Sequence, residues 1–568
     1  MPFGIIDAKH DGSLPGTELL IGEERGDMVP EDEARRLKRV VINGEEIILV
    51  PQPNDADPND PVLWPRWKKE AAFWVIFFNT VIFAIVPGPM LAPQTFSLSK
   101  TFGTSLTAIA ELSGYQLLVV GAIGPLVSVL AQKYGKRPQF LFAAVMGCVG
   151  TAICIAGARE LDYHLLLGGR MVQGLGMTAW ESLSVAAIGD LFYLHERGWR
   201  TALLVAALTC SSSMVAVVSG VMSQSVGWQN LFVASLPIDL VCLATTIFLV
   251  PESQYRRPAT LPDRRSGGGG GDEAAIVAPE KGGATSSSNH ENGGDGGPDS
   301  SNGGGLAAVA HVVPPKTFAQ SIAAFSGSYT DKGIGHLLVE IFVHLVNPAV
   351  VWILLVSGVL ISFYVAAAYM TAQIWSPPPY LLNVAQNGYF YTGAFIGGVL
   401  AVSAGPVCDW SARVLARLNR GVFEAEFRIP INVLSALCCC LGWFLWMWVM
   451  EHPRKEGVFI AAFCYGLVGF GIAVSSTSAG LYILDSFPNQ STEVFVLQMM
   501  VKNFMFYAFS TFVNTWSSQK GSATVFRTFG IVTLCLLSTC IPMYIFGKLN
   551  RRFVYRIYQT SKIFRSMG

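Results

Sequence analysis

The sequence predicts an all-α integral membrane protein with twelve transmembrane helices in two groups of six, and three observations predict it. Only 14% of the 568 residues are charged while 51% are hydrophobic, against roughly 25% charged in ordinary soluble domains. The apolar residues gather in runs of about twenty, the length a helix needs to cross ~30 Å of hydrocarbon. A long polar, glycine-rich stretch divides these runs into two equal sets.

Residues 1–70 form a polar N-terminal tail with Pro51, Pro53, Pro58 and Pro61, and no short apolar core marks a cleavable signal peptide. The first span must therefore direct insertion. Within the tail, VVINGEEIILV at 40–50 sets Asn43-Gly44 between apolar runs, a signal for a tight hairpin turn; a sticky, unpaired segment is the alternative. Residues 71–250 hold six spans, near 71–91, 106–130, 139–157, 164–189, 201–224 and 229–250. Residues 251–345 are a central linker with GGGGG at 267–271, SSS at 286–288 and GGG at 303–305, a composition that buries too little apolar surface to offset its ordering entropy. Its last part, 334–346, reads as an interfacial helix with Glu340 and His344 on one face. Six more spans follow in 346–547, near 346–374, 385–405, 429–450, 457–484, 493–516 and 524–547, and 548–568 is a polar C-terminal tail.

The charge pattern tests this count independently, because basic residues accumulate in cytoplasmic loops. Of 39 Lys and Arg, 31 lie in the tails and the even-numbered connections, which places both termini and the linker in the cytoplasm. Formal net charge is zero, so nothing points to nucleic acid. Ten of the eleven cysteines sit inside apolar runs and Cys408 just beyond one, which leaves no extramembrane pair for a disulfide. Cys438, Cys439 and Cys440 point in different directions on a helix and make no metal site. No HExxH, GxSxG or GxxxxGK[ST] pattern occurs, so neither catalysis nor nucleotide binding is expected, and no cofactor. Energy must come from an ion gradient or from downhill flow of the solute.

Charges within the spans carry the functional expectation, since each costs ~2.5–3.5 kcal/mol at the bilayer centre on insertion scales and must face a polar interior. Arg170 and Glu181 on span four lie eleven residues apart, about three turns, and project from nearly one face. Gly168, Gly169, Gly174 and Gly176 would let another helix approach that span. Lys502 on span eleven has the chemistry of a substrate or proton contact, with Glu493 as its bland partner; Glu111 in span two and Asp239 in span six are further titratable candidates. Tyr115, Gln116, Gln173, Trp180, Tyr364, Tyr369, Gln373 and Tyr389 are candidate linings for a cavity holding a small organic molecule, packing being their alternative role.

Several motifs resemble one family. Loop 2–3 reads Ser128-x-x-x-Gln132-Lys133-Tyr134-Gly135-Lys136-Arg137-Pro138, and Gly405-Pro406-Val407-Cys408-Asp409 followed by Arg413, Arg417 and Arg420 stands at the equivalent place in the second half. Span four carries Arg170-x-x-Gln173-Gly174, then Glu181, Gly189-Asp190 and His195-Glu196-Arg197-Gly198-x-Arg200. NDPVLWPRWKK at 59–69, GWQNLF at 227–232, PESQYR from Pro251 and YILDSFP at 482–488 complete the set. Together they resemble fungal members of the major facilitator superfamily, of the drug:proton antiporter branch. The resemblance implies two pseudo-symmetric six-helix bundles, a central cavity and alternating access. It implies conformational-lock roles for Gly135, Lys136, Arg137, Asp190, Arg197, Gly405, Asp409 and Arg413, although Ser128 and Gln132 replace that loop's usual Gly and Asp. It also implies proton coupling at the span-four motif of Arg170; the expected carrier of the proton is Glu181, with Arg170 modulating its pKa. Span five departs from the antiporter pattern, since Val215-Ala216-Val217-Val218-Ser219-Gly220 stands where Gly-Pro-x-x-x-Gly is usual.

The expected function is proton-coupled efflux of a small organic molecule from a monomer in the plasma membrane. The alternatives are import of a nutrient or polyamine-like cation by a symporter or facilitator, and a membrane sensor that no longer transports. Asn489, within an Asn-x-Ser/Thr sequon, falls in a predicted cytoplasmic loop and is not expected to carry a glycan.

Overall fold

The computed structural model describes residues 57–255, 317–419, 422–487 and 491–560, with the N-terminal pieces 5, 17–19, 39–42, 45–48 and 53. The glycine-rich part of the linker, 256–316, and Asn489 lie outside the described residues.

Twelve long helices occupy the predicted spans. They are α1 (Arg66–Phe102), α2 (Leu106–Tyr134), α3 (Lys136–Glu160), α4 (Tyr163–Leu191), α5 (Leu194–Val226), α6 (Gln229–Leu249), α7 (Pro348–Trp375), α8 (Val384–Leu418), α9 (Ala425–Glu451), α10 (Gly457–Ser486), α11 (Ser491–Lys520) and α12 (Ser522–Ile557). Side chains fix several starts by taking up orphan amides: Ser105 accepts from Ala108 N–H, Asp162 from His164 and Leu165, and Asn347 from Ala349. Nine of the twelve are long and apolar enough to cross a membrane on length and composition. The other three, α4, α5 and α11, are 29, 33 and 30 residues long. Charges at Arg170, Glu181 and Asp190 dilute the hydropathy of α4, and Lys502, Asn503 and Asn514 that of α11.

Two rods are interrupted. In α1 a π-helical stretch, Thr80–Ile85, passes into a 3₁₀ turn, Pro89–Gln94, because Pro89 and Pro93 cannot donate to the ladder. Irregular backbone at membrane depth is tolerated only where it is buried in protein. In α8 the rod continues past the predicted end of span eight as the helix Ala404–Leu418. What was expected as a loop is therefore helical, since Cys408, Ala412 and Ala416, four apart, make one buried face.

The first six helices pack around Phe73, Phe140, Trp180, Leu183 and Phe192. The last six pack around Trp375, Trp443, Trp446, Tyr465 and Phe526. The two groups meet along α2 and α11, which run antiparallel. Glycines permit the approach: a Cβ on Gly114 would overlap Ser510 Cβ at 2.8 Å, and one on Gly121 would reach Asn503 Cβ at 3.1 Å. Facing them, Asn503, Ser510, Asn514 and Ser517 are all buried on one stripe of α11. At the odd-loop end Thr107 and Thr515 are hydrogen-bonded at 3.0 Å, and Asn387 donates to the Pro93 carbonyl at 3.4 Å. Gly220 packs on Gly388 there, with a Cβ on Gly220 meeting Gly388 Cα at 2.8 Å. The one glycine kept from the span-five pattern thus serves as a cross-group contact.

The expected hairpin forms: β2 (Arg39–Ile42) and β3 (Glu45–Ile48) are antiparallel with Ile42 opposite Glu45. A second pair, which the sequence did not suggest, joins β1 (Thr17–Leu19) to β4 (Val422–Glu424) after α8. Thr17 Oγ1 donates to Glu424 at 2.7 Å, Lys548 donates to Glu424 at 2.7 Å, and Arg551 bonds both Glu424 (2.8 Å) and Glu426 (2.9 and 2.6 Å). Ile5 is buried against Ala412, Ala416, Phe423 and Phe427. The N-terminal tail thus docks on the second group, although it leads into the first.

The linker is structured at its end. Tyr329 N–H donates to the Lys133 carbonyl at 2.8 Å, Lys332 pairs with Glu340 at 2.8 Å, and the helix Ile334–Val343 packs against both α2 and α11. Glu340 pairs with Lys332 and His336, and it also acts electrostatically on His344, four residues on.

Candidate functional site: polar groups between the two helix groups

Glu181 on α4 and Lys502 on α11 form an ion pair at 2.5 Å, and Asn503 Nδ2 lies 3.5 Å from the other carboxylate oxygen. The pair joins the two helix groups. It also corrects the assignment of Glu493 as the partner of Lys502: Glu493 sits in the first turn of α11, in hydrogen-bonding contact with Gln132 of α2. Glu181 and Lys502 keep 13% and 24% of their side-chain surface exposed, so the pair is not sealed in a core.

Arg170 occupies a separate environment despite sharing a helix with Glu181. It is fully buried and donates to the Pro87 carbonyl at 2.7 Å, to Gln173 Oε1 at 3.1 Å and to Ser113 Oγ at 3.1 Å, with Gly88 O at 3.5 Å. The carbonyls belong to the break in α1. Gln173 then donates to Thr151 Oγ1 at 2.9 Å, and Thr151 donates to Asp239 at 2.7 Å. A chain of hydrogen bonds therefore links Asp239 on α6 through α3 to Arg170 on α4. Among the described residues Arg170 Nε has no acceptor and the Tyr369 hydroxyl no partner, and Tyr369 stands close enough on α7 to interact electrostatically with Arg170.

The cavity candidates divide. Tyr115 meets Tyr507 across the groups with ring centroids 5.0 Å apart, and Glu111 acts electrostatically on Tyr507 and Tyr163. Gln116 is buried, with its amide 3.9 Å from Met177 Sδ and its Oε1 unpaired. Gln373 donates to the Asn514 carbonyl at 3.1 Å. Tyr364 stacks on Tyr465 at 4.3 Å. Trp180 instead packs in the first core between Phe83 and Phe140, at 5.8 and 4.5 Å. Tyr389 is exposed, and its neighbour Tyr391 joins the aromatic group and donates to Ala368 O at 3.1 Å.

At the even-loop ends the lock candidates form two similar charge clusters. Lys136 pairs with Asp190, to which Ser253 also donates at 3.2 Å, and the backbone amides of Lys136 and Arg137 donate to Glu252 at 3.0 and 3.1 Å. Glu252 thus caps α3 in a loop without its usual acid, and Gly135, at φ 98°, leaves room for that carboxylate. Burial holds the Glu252 carboxyl above the usual carboxylate range, against the pull of those amides and Lys136. Arg137 clasps the end of α6 and the linker, bonding the carbonyls of Val250, Ile247, Ile322 and Ala323. In the second half Arg428 pairs with Asp409 and, at 2.9 Å, with Asp485. The base that pairs with the acids there is Arg428; Arg413 bonds only the Asp409 carbonyl among its side-chain hydrogen bonds to described residues, and a Cβ on Gly405 would meet open space. The side chain of Arg197 lies outside the described residues.

Sequence reasoning missed Glu252, Arg428, Asp485 and the α2–α11 seam. Glu252 and Asp485 stand inside motifs that were visible, and Gly114 and Gly121 repeat at seven residues opposite Asn503 and Ser510, also seven apart.

Comparisons with known proteins agree with this architecture. An uncharacterised MFS-type transporter of Schizosaccharomyces pombe is 22% identical over 96% of this chain and 94% of its own. Protein HOL1 of Saccharomyces cerevisiae is 22% identical over 91% and 92%, and the efflux pump radE of Floropilus chiversii is 22% identical over 84% and 79%. Among solved structures, a D-xylose-proton symporter superposes with a TM-score of 0.53 at 14% identity, covering 82% of this chain and 97% of that one. The human organic anion transporter MFSD10 gives 0.51 at 12%, covering 84% and 100%. The family model described as Major Facilitator Superfamily matches residues 71–504, and the chain, a multi-pass membrane protein with the fold of these transporters, belongs to that superfamily.

Proposed function

We propose that the protein exports a small organic solute by alternating access, in exchange for protons carried on Glu181. The observation that carries this reading is the Glu181–Lys502 ion pair between the two helix groups. A proton on Glu181 removes the charge that Lys502 holds, so protonation weakens a contact between groups that must rock past each other. Arg170, whose hydrogen bonds run to Pro87, Gly88, Ser113 and Gln173, holds the broken α1 against α4 rather than facing Glu181. Export follows the efflux pumps among the relatives. The plasma membrane is the proposed site, with both termini in the cytoplasm.

Import of a nutrient or organic cation is the second reading, favoured by span five, which lacks the Gly-Pro bend and packs Gly220 directly on Gly388. Growth of a deletion strain against toxins and nutrients identifies the solute. Radiolabelled flux in vesicles under an imposed pH gradient then separates the readings, since exchange and symport respond with opposite sign. Flux indifferent to the gradient would overturn proton exchange and symport alike and leave import by a facilitator.

A further inference from the structure

A cavity of about 370 Å³ opens where the first turns of α1 and α5 meet, beside the connection from α4, and it is lined by Arg66, Lys69, Glu70, Glu196, Trp199 and Arg200. It shares no residue with the polar site between the helix groups. Three cations face two carboxylates. Glu70 pairs with Arg200, and Glu196 lies 3.9 Å from Lys69, whose ammonium also donates to the Val62 carbonyl at 3.1 Å. Arg66 is exposed and makes no ion pair among the described residues. Arg200 is 8% exposed and lines the cavity, and its buried Nε has no acceptor among the described residues. Neither α1 nor α5 takes a side-chain cap from the residue before it, Pro65 and Tyr193, so both helix N-termini face this end without a capping side chain. Helix N-termini with unpaired amides favour anions.

The rim is of the kind found at a membrane surface. Trp67 and Trp199 are 73% and 53% exposed, and Lys68 lies 4.0 Å over the Trp64 ring. Trp67, Trp74 and Phe78 are all exposed and share one face of α1, next to the face that carries the cavity residues Arg66, Lys69 and Glu70. Tryptophans gather at the headgroup level of bilayers, and each basic residue there attracts anionic lipid.

We propose that this cavity binds the phosphate of an anionic phospholipid headgroup, its acyl chains lying along the Trp67–Trp74–Phe78 stripe. The phosphate meets Arg66 and Lys69, with the Arg200 guanidinium in the cavity wall behind them, and the site accounts for the excess of one positive charge. Anionic lipid thereby joins α1 to the α4–α5 connection in a way neutral lipid cannot.

The test uses the full-length protein in neutral detergent, with native mass spectrometry and thermal unfolding after addition of phosphatidylserine, phosphatidylcholine or inorganic phosphate. Retention of phosphatidylserine with a raised Tm, and little effect of phosphatidylcholine, is expected. Arg66→Gln should weaken phosphatidylserine binding by about tenfold, the loss of one charge-assisted contact. Arg200→Lys, which keeps the charge but loses the planar fork, should weaken it similarly. Should Arg200→Lys fail to fold, Arg66→Gln, at an exposed position, still decides. Equal binding of the two lipids, or an Arg66→Gln protein that binds like the wild type, overturns the proposal. So does inorganic phosphate alone reproducing the shift, which would make the ligand a free anion.

Discussion

Arg170 and Glu181 stand eleven positions apart on α4 and answer to different neighbours. Glu181 reaches Lys502 on another helix group, while Arg170 satisfies carbonyls that the proline-bearing break in α1 leaves without amide partners. That both charges face a protein interior was legible, because membrane burial leaves no cheaper place for them. Their partners were not, since Lys502 lies over three hundred positions away and no local period connects it to Glu181. Glu252 behaves similarly: its motif could be read, but its cap on α3 arises only once α6 packs beside α3. Glu252→Ala should cost ~1–3 kcal/mol by stranding the amides of Lys136 and Arg137. Glu252→Gln should cost less, because burial already disfavours the charged carboxylate and one acceptor oxygen remains. Thermal unfolding of the purified variants orders the three proteins; equal loss in both variants would contradict the capping role.

At the scale of elements, small residues set how closely helices approach. The glycines of α4 were expected to permit this, and three do. A Cβ on Gly169 would lie 2.8 Å from Cys154 N, one on Gly174 2.5 Å from Gln116 O, and one on Gly176 2.5 Å from Gly147 Cα. Gly168 faces open space. Gly174→Ala and Gly176→Ala should therefore lower the unfolding temperature by several degrees through overpacking, ~1–3 kcal/mol each. Gly168→Ala should be neutral or stabilising by up to ~1 kcal/mol through helix propensity. A destabilised Gly168→Ala protein would contradict the packing described. Span positions were legible for the same reason that they are physically constrained, since hydrocarbon demands long unbroken apolar helices. The helix Ala404–Leu418 was read as a loop because its charges match a cytoplasmic connection, while its buried face of Cys408, Ala412 and Ala416 is narrow and only period four reveals it.

Over the whole molecule, the two helix groups are joined by the α2–α11 seam, the α5–α8 contact at Gly220 and Gly388, and the linker helix, and the described N-terminal pieces Ile5 and Thr17–Leu19 dock on the second group. The tail's anchor is the buried cluster of Glu424, Glu426, Lys548 and Arg551, completed by Thr17. Removing one member of a buried pair is costly, so Arg551→Ala should cost ~3–5 kcal/mol. Adding Glu424→Gln and Glu426→Gln to that variant should recover part of the loss, because the stranded carboxylates are then neutral. No recovery would mean that Arg551 acts by packing alone. This cluster could not be foreseen, as it unites residues from both ends of the chain with the connection between α8 and α9.

The central claim, that Glu181 carries the exchanged proton, is tested most directly by following proton and solute together in reconstituted vesicles. Wild-type protein should move protons against the solute identified by the growth panel, read with an internal pH dye. Glu181→Gln should lose that proton movement and all uphill transport while still exchanging labelled for unlabelled solute. A Glu181→Gln protein that still moves protons with its solute would contradict the account.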